Sequence, residues 1–432
     1  MLTLPQKLAR FHWFSCILMY ALLAAGVILI YSATHLSDRP DIQNSVNQQL
    51  IAIAAGSVAF FTLALIRYQT LLDYAPWILG ASLVSLVAVL LFGRTVYGAK
   101  SWLPLGFASV QPAEFAKLAF ICAFAWFLVH FRDRINSWKI LLLAGLLAAL
   151  PLALILAQPD TGTALVFGPM IFFMLMVAGL RWLYLLLPVA GAALALFASY
   201  TIVYHGQWDG TLGDLPGAVR EGFLIETGRI EKLVRFEERA KAEAALAAEA
   251  RARGENPNPP KRGKPLLKPH QLNRIKSFFN PDLDPLGSGW TIRQCLIAIG
   301  SGGKFGKGYL QGDQNTFQFL PGTIVHNDFI FSVAAEEFGF LGGSVLIASL
   351  AGLLLCLVFI AIHARDEGAQ LLVAGIFGMI FAHFFQNIGM TIKVMPITGI
   401  PLPFISYGGS FVVTCMAGMG IVQSVWIHRK EY

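Results

Sequence analysis

Residues 12–32 read HWFSCILMYALLAAGVILIYS, an apolar run that contains no Asp, Glu, Lys or Arg. An α-helix needs about 20 such residues to cross the hydrocarbon core of a bilayer. Lys7 and Arg10 precede the run, and no small-residue cleavage site follows it. We therefore expect a retained first membrane helix rather than a signal peptide that is removed.

The rest of the chain shares this apolar character. Of its 432 residues, 56% are hydrophobic and only 13% are charged, and the mean hydropathy is +0.63. A soluble domain of this length needs far more polar surface, so the composition predicts a membrane protein with several spans. The net charge of +7 does not indicate a nucleic-acid partner, because it lies mostly in one loop and in the short loops that orient helices.

Apolar runs of membrane-spanning length recur along the sequence. We predict an all-α polytopic membrane protein, a single membrane domain over residues 1–432 with about ten transmembrane helices. One large external loop, 204–340, separates the seventh helix from the eighth. The predicted helices are 12–32, 50–66, 75–93, 113–130, 139–157, 161–180, 182–203, 341–363, 369–391 and 408–427.

Charges in the short loops predict how the helices are oriented. With the N-terminus inside, the cytoplasmic segments carry ten Lys and Arg residues, whereas the opposite short loops carry four. This asymmetry predicts that both termini face the cytoplasm and that the 204–340 loop is external. The ten are Lys7, Arg10, Arg67, Arg132, Arg134, Lys139, Arg181, Arg365, Arg429 and Lys430, and the four are Arg39, Arg94, Lys100 and Lys393.

Part of the external loop has a different composition. Residues 229–252 are rich in alanine and in charges spaced to pair along a helix, and the proline-rich stretch 255–265 ends that pattern. Such charge runs are usually solvated helix faces, so we predict that 229–270 is a charged insertion. Docking of a partner is the alternative.

Ionisable side chains in membrane spans are costly and gather at functional sites. At the predicted external end of the fourth helix, Glu114 occupies the first turn and Lys117 follows on the same face. Both are candidate substrate-binding residues, and an ion pair that only locks the helix end is the alternative. Trp102, in the preceding loop, is a further candidate, although an interfacial anchor is the commonest role for tryptophan at this depth.

Asp160 lies in QPDTGT, residues 158–163, between the fifth and sixth helices. Its position predicts the N-cap of the sixth helix. A carboxylate here would lie at the same depth as Lys117 and could pair with it. We therefore also take Asp160 as a candidate substrate-binding residue.

The segment 300–339 holds the third polar group. Its glycines at 300–308, with Lys304 and Lys307, resemble a cradle of backbone N–H groups that binds an anion. Asp328 begins an apolar stretch, and a carboxylate in apolar surroundings suits a general base. A helix cap is the alternative role for Asp328.

The fourth group is GIPLPFISYGGS, residues 399–410. Its glycines and prolines predict irregular backbone at membrane depth, which is tolerated only inside protein or along a cavity. Ser406 could contact substrate or could satisfy that backbone.

These groups lie at one predicted face, whereas a transporter usually places its site near the middle of the membrane between related halves. A cavity open to the outer leaflet suits chemistry on a lipid whose head group is already outside. A carboxylate, a lysine and an anion cradle favour transfer at a diphosphate-linked sugar. A flippase for that lipid and a non-catalytic scaffold are the alternatives.

Five motifs, in this order along the chain, resemble the shape, elongation, division and sporulation family. They are QPAEFAK (111–117), QPDTGTA (158–164), AIGSGGKFGKGYLQGDQ (298–314), DFIFSVAAEEFG (328–339) and GIPLPFISYGGS (399–410). The third motif and the short N-terminus resemble the elongation-type member more than its division-type paralogue.

The resemblance implies a peptidoglycan glycosyltransferase of the bacterial inner membrane that polymerises glycan strands from lipid II, the undecaprenyl-diphosphate-linked disaccharide-pentapeptide, in cell elongation and rod-shape maintenance. It implies a class B penicillin-binding protein, a transpeptidase, as the partner. A divalent cation, Mg²⁺ or Mn²⁺, could assist, with no ligands assigned.

The resemblance also assigns residues. The family's essential external-loop aspartate falls on Asp328, its loop tryptophan on Trp102, and its Glu/Lys pair on Glu114 and Lys117. Asp160 matches the family's aspartate before the sixth helix. In the proposed chemistry, Lys117 and a basic loop residue such as Arg293 or Lys304 stabilise the leaving diphosphate.

The sequence departs from the family pattern before Asp328. Most relatives have Pro-Glu-x-x-Thr-Asp there, whereas this chain has Pro321-Gly-Thr-Ile-Val-His-Asn-Asp328, two residues longer and without the glutamate. The position of Asp328 could therefore differ from that in the family.

Overall fold

A computed structural model describes residues 3–37, 39–96, 99–104, 109–186, 191, 194, 274, 277–279, 287–313 and 325–429. The predicted insertion 229–270 and most of the predicted seventh helix, 182–203, lie outside these residues. The chain forms two compact units, Met1–Leu185 with Gln294–Tyr432, and Leu186–Arg293. In the smaller unit, the Ser277 hydroxyl donates to the Ser288 hydroxyl at 2.9 Å.

Helices make up most of the described chain. They are α1 (Leu4–Ala9), α2 (Trp13–Thr34), α3 (Pro40–Gln43), α4 (Ser45–Leu65), α5 (Tyr68–Asp73), α6 (Ala75–Phe92), α7 (Pro112–His130), α8 (Trp138–Ala157), α9 (Thr161–Val177), α10 (Ser288–Ser301), α11 (Val325–Asp328), α12 (Ile330–Ile362), α13 (Glu367–Thr391) and α14 (Gly409–Ile427), with a 3-10 turn at Arg132–Arg134.

Eight of the described helices are long and apolar enough to cross a membrane, namely α2, α4, α6, α7, α8, α12, α13 and α14. A ninth, α9, is apolar but has only 17 residues. The prediction of a polytopic helical membrane protein is thus confirmed. The second predicted span began at residue 50, whereas α4 begins at Ser45, because Ser45 and Gln49 in its polar first turns are buried and Gln49 hydrogen-bonds to Ser406.

A small sheet precedes α7, which the all-α prediction did not include. It has three antiparallel strands, β1 (Arg94–Val96), β2 (Ala99–Pro104) and β3 (Ser109–Val110), in that order. Strand β2 pairs with both neighbours, so its backbone groups are satisfied without a helix.

Glycines allow the helices to approach closely. Where α14 crosses α4, a Cβ on Gly420 would lie 2.5 Å from the carbonyl oxygen of Phe60. Where α13 crosses α9, a Cβ on Gly378 would lie 2.7 Å from the Cα of Met170. Helices in lipid gain little from the hydrophobic effect, so close backbone contact at small residues contributes much of their association.

The helix α12 is broken near its start. Gly339 has φ 65° and ψ −164°, which no α-helix contains. The amides of Phe340 and Leu341 donate instead to the carbonyls of Gly303 and Lys304, at 2.8 and 3.1 Å. The predicted span at 341–363 therefore begins just after this break, and residues 330–338 form a separate helical segment.

We expect Gly420→Ala to lower the melting temperature of the purified protein, because the new methyl group would overlap the Phe60 backbone. Overpacking of this kind typically costs about 1–3 kcal/mol. The matched control is Gly80→Ala in α6, where a Cβ meets nothing within 4 Å. Alanine favours a helix by about 1 kcal/mol over glycine, so the control should melt at the same or a higher temperature. Equal melting of the two variants would contradict close α4–α14 contact.

Candidate active site

The start of α7 carries a buried ion pair. The Lys117 Nζ lies 2.8 Å from Glu114 Oε2, one turn earlier on the helix. Lys117 is 0% exposed and Glu114 is 3% exposed. A buried charge is tolerated only when it is paired and hydrogen-bonded, so each of these side chains depends on the other. The ion pair is present, and substrate binding by the two residues stays a prediction.

A second helix contacts the same lysine. The His383 Nε2, on α13, lies 2.8 Å from Lys117 Nζ, and its Nδ1 lies 3.2 Å from the carbonyl oxygen of Pro401. The Lys117 ammonium also lies 5.5 Å from the centre of the Phe411 ring, on α14. Residues from three helices thus surround this cation, and the connecting segment reaches it only through His383.

Asp160 caps α9, as predicted. Its Oδ1 accepts from the Thr163 amide at 3.0 Å, and its Oδ2 accepts from the Thr163 hydroxyl at 2.9 Å. The Gln111 side chain donates to the same Oδ2 at 2.8 Å, and the Gln111 amide donates to Ser410 Oγ at 3.1 Å. The pairing of Asp160 with Lys117 was wrong, because the lysine is paired with Glu114. Gln111 instead joins the starts of α7, α9 and α14.

Asp328 ends α11 and is half-buried. Its main-chain carbonyl accepts from the Asn387 side chain at 2.8 Å. Its carboxylate lies beside Gly399, where a Cβ would be 3.3 Å from Oδ2. Gly399 has φ +72°, a left-handed conformation that favours glycine, and its missing side chain leaves this space to the carboxylate.

The irregular backbone predicted before α14 is present, and we name residues 399–408 the bridging segment. The Ser406 hydroxyl accepts from the Leu402 amide at 2.8 Å and donates to the carbonyl of Asn327. Ser406 is 0% exposed. These bonds are the backbone-satisfying role considered for Ser406, and substrate contact by this serine stays a prediction.

Polar side chains on two helices, α13 and α4, form hydrogen bonds with the backbone of the bridging segment. Asn387 donates to the Ile400 carbonyl at 2.7 Å as well as to Asp328. The Gln49 side chain of α4 donates to the Ser406 carbonyl at 3.3 Å and accepts from the Gly408 amide at 3.2 Å. The bridging segment therefore contacts the Asp328 region on one side and, through His383, the Lys117 region on the other.

Trp102 and Lys304 lie apart from these contacts. Trp102 is half-buried in β2, where it is paired with Arg94. Lys304 is exposed, and its Nζ lies 5.3 Å from the centre of the Phe305 ring. Among the described residues, neither side chain makes a hydrogen bond or ion pair to Asp328, Glu114 or Lys117. Their roles stay predictions.

The glycine-rich loop 302–308 binds protein rather than presenting its amides to an anion. The Lys307 and Gly308 amides donate to the carbonyls of Glu336 and Glu337, both at 3.0 Å. The Gly302 and Gly306 amides donate to carbonyls within α10 and the loop. The interpretation of an anion cradle is wrong for these four amides, because each is already used.

Lys307 is likewise committed to protein partners. Its Nζ lies 2.6 Å from Glu336 Oε1 and 2.9 Å from Asp313 Oδ2. Partial burial opposes the charged form, but the hydrogen bonds and charges of Glu336 and Asp313 outweigh it and raise the pKa of Lys307. In this loop the exposed Lys304 therefore remains the better candidate for an anionic substrate.

Within the part of the chain that the structure describes, no three His, Cys, Asp or Glu side chains come together as metal ligands. The divalent cation that the resemblance allows stays a prediction, with no ligands assigned.

Four polar residues of this region, His383, Asn387, Gln49 and Gln111, were not among the predicted site residues. His383 and Asn387 lay inside the predicted span 369–391, four residues apart, where polar side chains are costly. That spacing places both on one helix face and could have identified them. Gln49 lay just outside the predicted span at 50–66, so the error in that boundary concealed it.

Comparison with known proteins agrees with this architecture. The FtsW/RodA/SpoVE family, described as cell cycle proteins, matches residues 13–238 and 265–431. The interruption at 239–264 falls inside the stretch 229–270, which stays a predicted insertion. The peptidoglycan glycosyltransferase RodA of Treponema pallidum is 34% identical and aligns with 97% of this chain and 98% of its own length. The peptidoglycan glycosyltransferase MrdB of Escherichia coli K12 is 32% identical and aligns with 96% of this chain and 93% of its own length.

Solved structures show the same fold. A chain of a peptidoglycan synthase complex that coordinates polymerization and crosslinking superposes with a TM-score of 0.69, at 27% identity over 98% of this chain and 99% of that one. The crystal structure of the rod shape determining protein RodA from Thermus thermophilus gives a TM-score of 0.60 at 26% identity, with 98% of each chain covered. From the extent of these matches, this chain belongs to the FtsW/RodA/SpoVE family of membrane proteins.

Proposed function

We propose that this protein is a peptidoglycan glycosyltransferase that polymerises glycan strands from lipid II in cell elongation. Its relatives in the family carry the activity in their names. The observation that carries the site assignment is the bridging segment, which joins Asp328 to the buried Lys117 through Asn387 and His383. The Asp328 carboxylate and the Lys117 cation thereby lie near the start of α7 and the end of α13.

Asp328 is the general base in this proposal. It accepts the proton of the acceptor sugar's 4-hydroxyl as that oxygen bonds to the anomeric carbon of the donor. The bond between that carbon and the lipid diphosphate breaks, and the diphosphate leaves with the electron pair. General-base assistance is typically worth about 10²–10⁴-fold in rate.

Lys117 provides positive charge close to the departing diphosphate, and the exposed Lys304 supplies a cation from the loop side. Because Lys117 is buried against Glu114, His383 and Phe411, it does not have to reorganise during the reaction. Charges that are fixed in a low-dielectric site stabilise developing charge most effectively. Trp102, Glu114, Asp160 and Ser406 complete the proposed substrate-binding site.

The site's position favours one orientation in the membrane. Glu114, Asp160 and Ser410 lie at helix starts, while His383 and Asn387 lie toward the end of α13, so they share one end of antiparallel helices. The predicted cytoplasmic segments carry ten cationic residues and the external short loops carry four. This asymmetry supports placing the site on the external side of the inner membrane and both termini on its cytoplasmic side. A class B penicillin-binding protein is the proposed partner, since a structurally similar chain belongs to a synthase complex.

Asp328→Asn should lower glycan polymerisation at least about 100-fold while the protein still folds, because the amide cannot accept the proton. The assay is gel analysis of glycan chains made from purified lipid II. Asp133→Asn is the matched control, an exposed aspartate in the 3-10 turn, and should leave the rate unchanged. Near-normal synthesis by Asp328→Asn would remove Asp328 from the mechanism.

Lys117→Met should destabilise the protein by about 3–5 kcal/mol, because it leaves Glu114 buried without its partner. Adding Glu114→Gln should recover much of that stability, measured by thermal melting, without recovering polymerisation. A stable double variant that polymerises at the normal rate would show that the ion pair only locks the helix end.

Reconstitution separates the activities considered for this fold. Proteoliposomes that contain the protein, lipid II and a transpeptidase-inactive partner should yield glycan chains. Translocation of labelled lipid II without polymer would instead indicate a flippase. Polymer that appears only when an independent synthase is added would indicate a scaffold.

A further inference from the structure

His383 and Asn387 perform no step of the proposed reaction, yet they lie between its two charged groups. They are four residues apart on α13, so they share one face of the helix. His383 is 1% exposed and Asn387 is 0% exposed. Their hydrogen bonds run to Lys117 on one side and to the backbone around Asp328 on the other.

The contacts of His383 determine which of its nitrogens carries the proton. The Lys117 ammonium is paired with Glu114 and can only donate, so His383 Nε2 must accept. The proton therefore resides on Nδ1, which donates to the Pro401 carbonyl at 3.2 Å. A single neutral imidazole thus links the cation to the bridging segment.

Asn387 links the main chain of Asp328 to the bridging segment, as His383 links Lys117 to it. Its amide nitrogen has two hydrogens, and they go to the carbonyls of Asp328 and Ile400, at 2.8 and 2.7 Å. The two carbonyls belong to segments far apart in sequence, so one side chain fixes their separation. Ile400 and Pro401 are adjacent, and α13 therefore holds both with side chains one turn apart.

We propose that His383 and Asn387 are positioning residues that hold Ile400 and Pro401 so that the Lys117 cation and Asp328 keep one fixed separation. The expected effect on the rate of polymerisation rests on the proposed function. The hydrogen bonds that hold the backbone of Ile400 and Pro401 do not depend on it. Irregular backbone at membrane depth has no water to satisfy it, so these two side chains also replace solvent there. A misplacement of about 1 Å in a catalytic group can cost about 100-fold in rate.

Hydrogen–deuterium exchange tests the hold on the backbone without requiring activity. The protected amides of Leu402, Ile405, Ser406 and Tyr407 report on the bridging segment. In the purified full-length chain, His383→Leu should raise deuterium uptake in a peptide covering 402–407. His383→Gln retains one donor and one acceptor and should restore the uptake of the native protein. The control is His130→Leu, at the exposed opposite end of α7.

Steady-state polymerisation tests the catalytic consequence. His383→Leu should lower kcat about 10- to 100-fold, with the KM for lipid II within about twofold, because substrate contacts remain while the catalytic groups shift. His383→Gln should recover most of kcat. If His383→Leu does not fold, Asn387→Asp replaces it with the same expectations, since a carboxylate would face two carbonyl oxygens without a hydrogen to donate.

Three results would overturn the positioning role. These are unchanged uptake in the folded leucine or aspartate variant, failure of His383→Gln to restore uptake and kcat, and a raised KM with normal kcat, which indicates direct substrate contact. Absence of glycan synthesis by the native protein would refute the proposed function alone, because the exchange measurement still decides the hold on the bridging segment.

Discussion

The structure depends on how the bridging segment satisfies its backbone. Residues 399–408 leave helical geometry between α13 and α14, where buried carbonyls and amides have few partners. Asn387, His383, Gln49 and Ser406 supply those partners from two helices and from the segment itself. Each of these residues is costly in an apolar setting alone, and each is compensated by a backbone group that would otherwise be unpaired.

The same contacts unite architecture with chemistry. The side chains that satisfy the segment also reach Lys117 and the main chain of Asp328, so the contacts that order this region also arrange the candidate site. Gln111 adds a comparable link between Asp160 and Ser410. A stable polar network of this kind specifies one arrangement, because any alternative leaves several buried groups unsatisfied.

Much of the fold could be predicted, because crossing a bilayer imposes a length and a composition that a sequence displays openly. Runs such as 12–32 and 139–157 match α2 and α8 within two residues. The boundary at α4 was missed because Gln49 resembles a loop residue until its partners on the bridging segment are known. Asp160 could be identified as a cap from its neighbours alone, whereas the link from Lys117 to His383 joins residues 266 positions apart and has no local signal. The glycines of 302–308 were misinterpreted for a related reason, since close approach to protein and close approach to a ligand demand the same residue.

The glycine-rich loop 302–308 and the broken helix α12 are joined by backbone hydrogen bonds. Gly303 and Lys304 accept from Phe340 and Leu341, while Lys307 and Gly308 donate to Glu336 and Glu337. Two of these bonds lie on each side of the break at Gly339. A residue inserted or deleted between Lys304 and Lys307 would displace one pair of bonds relative to the other, so the length of the loop is constrained as well as its composition.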